Sequence, residues 1–194
     1  MKQPSPKKTL GDFQTPCIRS LMRLIQSQSK PTLIRWATGY VTEHILPIYE
    51  GAFPKDSRPR DALVNAVGWL EGRVKFADAK ETNNGAHTAA TAAAAFPAAQ
   101  AAARAAARAA AHAAAHAALT IHVPAHCLGV AFYGLAALAY AQAGTNAEPT
   151  VYAQITAAHC AHMEAALRRI AVEGEPRPAK LDWKLWQYVI GPYE

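Results

Sequence analysis

The chain has only three cysteines, Cys17, Cys127 and Cys160, widely spaced and without a Cys-x-x-Cys, so it offers neither a disulfide framework nor a zinc-finger pattern. A reducing compartment suits such a chain. The opening "MKQPSPKKTLGDFQTP" lacks the apolar core of a signal peptide, which leads us to expect a cytoplasmic protein with residues 1–14 as a mobile leader. Basic residues never form a run: the formal net charge is +6, but Arg19, Arg23, Arg35, Arg58, Arg60, Arg73, Arg104, Arg108, Arg168, Arg169 and Lys184 are dispersed. That distribution reads as a solvated surface and argues against a nucleic-acid partner. Long apolar runs are also lacking. "CLGVAFYGLAALAYA", Cys127 to Ala141, falls short of the roughly 20 residues a bilayer requires and reads as a buried core helix rather than a membrane span. Phosphate-binding GxxxxGK[ST] and GxGxxG, the nucleophile elbow GxSxG and the zinc motif HExxH are all missing. No glutamate has a histidine three residues later, as a di-iron bundle needs. The first expectation is therefore a protein that is not an enzyme, with no catalytic residues and no cofactor.

What is present is apolar and helical. Hydrophobic residues make up 51% of the chain and charged ones 18%, a balance that packs rather than stays disordered. The alternation typical of strands is almost absent, while helix starts and apolar spacings of three and four recur. We expect an all-α, single-domain bundle of about six or seven helices, spanning residues 15–174, with residues 175–194 an aromatic segment packed on it. Thr15-Pro16 reads as an N-cap and first helical residue, and Pro47 as a kink or stop in the helix opened by Pro31. Weak helix formers in "TNNG", 82 to 85, suggest a bend, and Pro97 a break before the next segment.

That next segment, "AAARAAARAAAHAAAH" from Ala101 to His116, is helical on alanine propensity alone. A four-residue step overshoots the helical turn by about 40°, so Arg104, Arg108, His112 and His116 trace a winding stripe. The remaining circumference is alanine, which lets neighbours approach closely and predicts an inner helix with an alanine-rich core. The stripe should leave the arginines facing solvent or acidic neighbours and turn inward by His116.

Histidine carries the remaining chemistry. His112/His116 and His122/His126 lie four apart and His159/His162 three apart, spacings at which two imidazoles share a helix face and can hold a metal. The alternative function is thus a metal-binding bundle, hydrolytic or storage, with zinc or iron on His87, His112, His116, His122 and His126. Against it, Pro124 interrupts the second pair and no carboxylate lies nearby in the alanine tract. Cys127 beside His126 suggests a nucleophile pair, although neighbours on a helix point about 100° apart. Trp183 and Trp186 suit interface anchors or a plug for the open end of the bundle, and Arg58 and Arg60 suit partner contacts.

Four stretches in order, "LIRWATGYVTEHILPIYE", "DSRPRDALVNAVGWLEGRVKFADAK", "GAHTAATAAAA" and "ALTIHVPAHCLGVAFYGLAAL", resemble the immunity-protein-five-like domain of bacterial polymorphic toxin systems. The carrying residues are Trp36, Glu43-His44, Leu46-Pro47, Arg58-Pro59-Arg60, Trp69, Gly72, His122, His126 and Leu128-Gly129. The resemblance implies a small all-α cytoplasmic protein that binds and neutralises a cognate toxin, with a protein partner and no catalytic residues. A basic inhibitor is poorly suited to a basic nuclease groove, so the expected target is of another kind.

Overall fold

Proline opens many of the helices, where its missing N–H removes no intrahelical bond. In a computed structural model that describes residues 6–95 and 100–190, proline lies in the first turn of α1 (Pro16–Gln26), α2 (Lys30–Tyr40), α3 (Leu46–Ala52), α4 (Arg58–Leu70) and α8 (Pro149–Arg168). The others are α5 (Phe76–Ala93), α6 (Ala101–Leu119), α7 (Leu128–Ala143) and the short α9 (Gln187–Ile190). Among the described residues there is no strand, and seven helices have eleven residues or more. The protein is an all-α, single-domain bundle.

α6 is its axis. Ten of its alanines are buried, and α5, α7, α3 and α4 all pack on it. Methyl-sized side chains on the axis let these helices come close, and the bulk is supplied from outside by Leu33, Leu46, Tyr49, Leu128 and Phe132. α7 is buried along its whole length from Leu128 to Tyr140. Counted with its 3-10 lead-in, Pro124–Ala143 reaches 20 residues and is apolar enough to cross a bilayer by composition, but 83% of that window is buried in the fold. That is the behaviour of a core helix.

Several local expectations are corrected. Pro47 does not stop its helix. The preceding Val41–Ile45 forms a π turn, in which the Leu46 amide donates to the Val41 carbonyl, and the wider turn carries the chain through the proline into α3. Across "TNNG", where a bend is expected, α5 is one helix from Phe76 to Ala93, with Asn83 buried and the Arg58 side chain in ordinary contact range, 3.6 Å, of where a Gly85 Cβ would stand. Thr15 stands at the N-cap of α1, but its hydroxyl is drawn to Asp12, whose carboxylate also accepts from the Gln14 and Thr15 amides. The break read at Pro97 lies outside the described residues.

The segment expected to be a mobile leader is, from Pro6 on, fastened to α7. The Tyr140 hydroxyl donates to the Lys7 carbonyl at 2.9 Å, the Leu10 amide donates to the Phe132 carbonyl at 3.2 Å, and Phe13 is buried edge-on against Phe132. The far end of the chain is held as well. The Ala179 amide donates to the Gln28 carbonyl, and Trp183 and Trp186 are buried in the core.

Candidate functional site

The winding stripe of α6 emerges as two linked sites. At its C-terminal half, His112 and His116 meet His87 from α5, His126 from the turn before α7, Tyr133 from α7 and Trp186 from the C-terminal segment. His116 stacks on Tyr133 at 4.9 Å and 11° and packs against Trp186 at 4.9 Å, while His87 lies edge-on to it at 5.8 Å. The Nδ1 atoms of His116 and His126 are 3.1 Å apart, so one ring donates and the other accepts, which requires at least one of them to be neutral. Above them the Trp186 indole donates to the Ala125 carbonyl at 2.9 Å and closes the cluster.

Gly129 makes this contact possible. A Cβ there would stand 2.6 Å from the Cβ and Cγ of His116 and 2.7 Å from the Trp186 ring, so only glycine lets α7 approach α6 with both rings in place.

The electrostatics follow from burial. Desolvation pushes His112 and His126 down to about 4, with nearby cationic and imidazole groups adding to it. His116 is held well below its ordinary value and His87 is lowered, again by burial. At neutral pH this is a cluster of uncharged rings stacked on aromatic faces. Among the described residues, no three His, Cys, Asp or Glu side chains are placed to hold one metal ion. His122 does not join the group: the Pro124 turn leaves it exposed, against Phe76 at 5.8 Å. Of the five histidines considered as ligands, the fold therefore gathers His87, His112, His116 and His126 and separates His122.

Cys127 is fully buried, and burial pushes its thiol far up, so it does not supply a thiolate beside His126. The other histidine pair is divided: His162 hydrogen-bonds the Tyr40 hydroxyl at 3.1 Å, and His159 hydrogen-bonds Gln142 at 2.8 Å.

At the other half of α6, Arg104 and Arg108 line a cavity of about 230 Å³ together with His112 and with Lys7 and Lys8 of the fastened N-terminal segment. No acidic side chain is among the described residues that line it. Sequence reading missed this grouping, because roughly a hundred residues separate the lysines from the arginines and no local pattern joins them.

The expected partner contacts divide as well. Arg58 pairs with Asp56, which it holds down to about 2, and Asp56 also accepts from the Tyr49 hydroxyl. Arg60 forms a bidentate pair with Glu50 at 2.6 and 2.7 Å. Both arginines still reach the surface, with 38% and 46% of their side chains exposed. Trp183 and Trp186 do not: they are 6% and 1% exposed, so the rings expected as anchors are occupied as core in this conformation.

A model of the family described as Imm-5 like putative immunity protein matches residues 23–166. The chain belongs to this family. No curated protein and no solved structure matches it. The Imm-5 like region contributes the whole imidazole cluster and both cavity arginines, whereas the lysine-bearing strap and the Trp186 lid come from outside it. Within it, the residues that carried the resemblance mostly hold the fold together. The Trp36 indole donates to the Met163 carbonyl, Arg58 and Arg60 are ion-paired, and Gly129 admits His116.

Proposed function

We propose that the protein is a cytoplasmic, non-enzymatic immunity protein that neutralises a cognate bacterial toxin by binding it directly. The observation that carries this reading is membership of the Imm-5 like family across residues 23–166. The chemistry of the interior supports it. The histidines that would serve as acid–base groups or ligands are stacked, neutral and closed in by Trp186, and the thiol beside them is inert. Recognition falls to the surface, where Arg58 and Arg60 stand at the start of α4, already pre-oriented by Asp56 and Glu50. The net charge of +6 favours a partner with an acidic face rather than the basic groove of a nuclease.

The test is capture with the intact chain from its native host, followed by expression of each captured protein. The reading requires one that arrests growth alone and is harmless when co-expressed with this protein. Failure of rescue for every toxic captured protein overturns it, and a tight complex with a basic nuclease domain overturns the charge argument alone.

A further inference from the structure

Two cysteines far apart in the sequence are brought into contact where α1 packs on α8. The helices run parallel, and their register is pinned at two points. The Ser20 hydroxyl donates to the Glu164 carboxylate at 2.9 Å, and past the end of α1 the Gln28 side chain exchanges hydrogen bonds with the Val172 backbone at 2.7 and 3.3 Å. Both pairs are 144 residues apart in the chain, so the same offset carried one turn back from Ser20 sets Cys17 beside residues 160 and 161. Cys160 is the inward one of these: it is fully buried, and Cys17 packs half-buried at the edge of the same apolar cluster. The Cys160 thiol donates a hydrogen bond to the Cys17 sulfur. Position divides their roles. Cys17 is the second residue of α1, where free helix amides and the helix dipole favour negative charge. The bond from Cys160, helped by backbone amides, lowers the Cys17 thiol from its ordinary value despite burial and the nearby Glu164 carboxylate. The same bond and its own burial raise Cys160, which stays a protonated thiol.

From this contact we infer that Cys17 and Cys160 form a reversible redox pair, in which a peroxide converts the two thiols into a disulfide that staples α1 to α8. The Cys17 thiolate attacks one oxygen of hydrogen peroxide and the O–O bond breaks. One oxygen stays on Cys17 as sulfenic acid, and the other leaves as water with the proton that Cys17 gave up. The Cys160 sulfur then attacks the Cys17 sulfur, the S–O bond breaks, and the hydroxyl leaves with the Cys160 proton as a second water. The two thiols together lose two electrons and two protons, and the peroxide is reduced to water. A dithiol reductant reverses the reaction, so the staple is transient in a reducing compartment. Cys127, fully buried and with its thiol pushed far up, serves as the internal control. This site stands apart from the immunity reading, since it rests on the packing of α1 on α8 and not on the family.

The test treats the reduced full-length protein at pH 7.5 with a modest excess of hydrogen peroxide, then unfolds it in an alkylating agent for intact mass and for peptide mapping after trypsin and Glu-C. The three thiols should fall to one, the linked peptides should carry Cys17 and Cys160, and excess dithiothreitol should restore all three. In Cys160→Ala, Cys17 should stop at a sulfenic acid that dimedone traps. In Cys17→Ser, peroxide should consume thiols about tenfold more slowly than in wild type. Should Cys160→Ala fail to fold by circular dichroism, the wild-type map and Cys17→Ser carry the test, because Cys17 lies only half-buried. Three thiols surviving peroxide, a disulfide that involves Cys127, or one between two copies of the chain overturns the inference.

Discussion

The two halves of α6 carry the same sequence device, a charged or titratable side chain at every fourth residue in alanine, and use it in opposite ways. In the first half Arg104 and Arg108 reach a cationic cavity beside the strap. In the second half His112 and His116 enter an aromatic cluster whose burial keeps them uncharged at neutral pH. Helical phase separates them: each step of four turns the side chain a further ~40°, so Arg104 and His116 point about 120° apart. The choice of residue then matches the environment, because arginine stays charged in any setting whereas imidazole can be buried neutral. His112 sits at the junction and touches both, bordering the cavity and packing on Tyr133 at 5.0 Å.

The contrast is broken most severely by removing its aromatic lid. Trp186→Ala should cost about 3–5 kcal/mol, since the ring is 1% exposed and packs on His116, His126 and Phe132. Urea denaturation followed by circular dichroism measures this, and a midpoint within error of wild type contradicts the packing account. Gly129→Ala should cost about 1–3 kcal/mol by forcing His116 and Trp186 away from the new methyl. Gly39→Ala is the matched control: nothing lies within 4 Å of its added Cβ, so helix propensity alone should stabilise by up to about 1 kcal/mol.

Acid should act on the histidine half. The folded values of His112 and His126, about 4, lie below the ordinary 6.5, so their contribution is complete above pH 6.5 and is lost as pH falls towards 4. By pH 5 the loss should be about 2 kcal/mol for each ring, read from urea midpoints across that window, and His126→Gln should flatten the slope. The smallest effect is expected at the rim. Arg60→Ala removes an exposed pair with Glu50 and should change stability by about 0.2–1 kcal/mol, which thermal melts will register as a shift of a few degrees at most.

Legibility in the sequence followed how local the cause was. α6 was readable from alanine alone, and its inward turn by His116 from helical geometry. The passage of α2 into α3 was not, because the rule that proline breaks helices assumes a regular turn before it, and Val41–Ile45 form a π turn instead. The spacing of His112 and His116 was visible, but their partners His87 and His126 arrive from separate elements, and Pro124 sends His122 elsewhere. A lysine-rich opening with little apolar content looked mobile, yet one buried ring, Phe13, and two backbone acceptors hold it to α7. For the same reason a dispersed set of basic residues concealed a cluster: folding, not sequence proximity, brings Lys7 and Lys8 to Arg104 and Arg108.

The central claim is that α6 changes from a charged edge to a neutral interior between Arg108 and His112. An NMR titration of the imidazole carbon and nitrogen shifts from pH 8 to pH 4 tests it ring by ring. The account predicts that His112 and His126 remain neutral down to about pH 4 or until the protein unfolds. Imidazolium forming on either ring above pH 6 in the folded protein would contradict it.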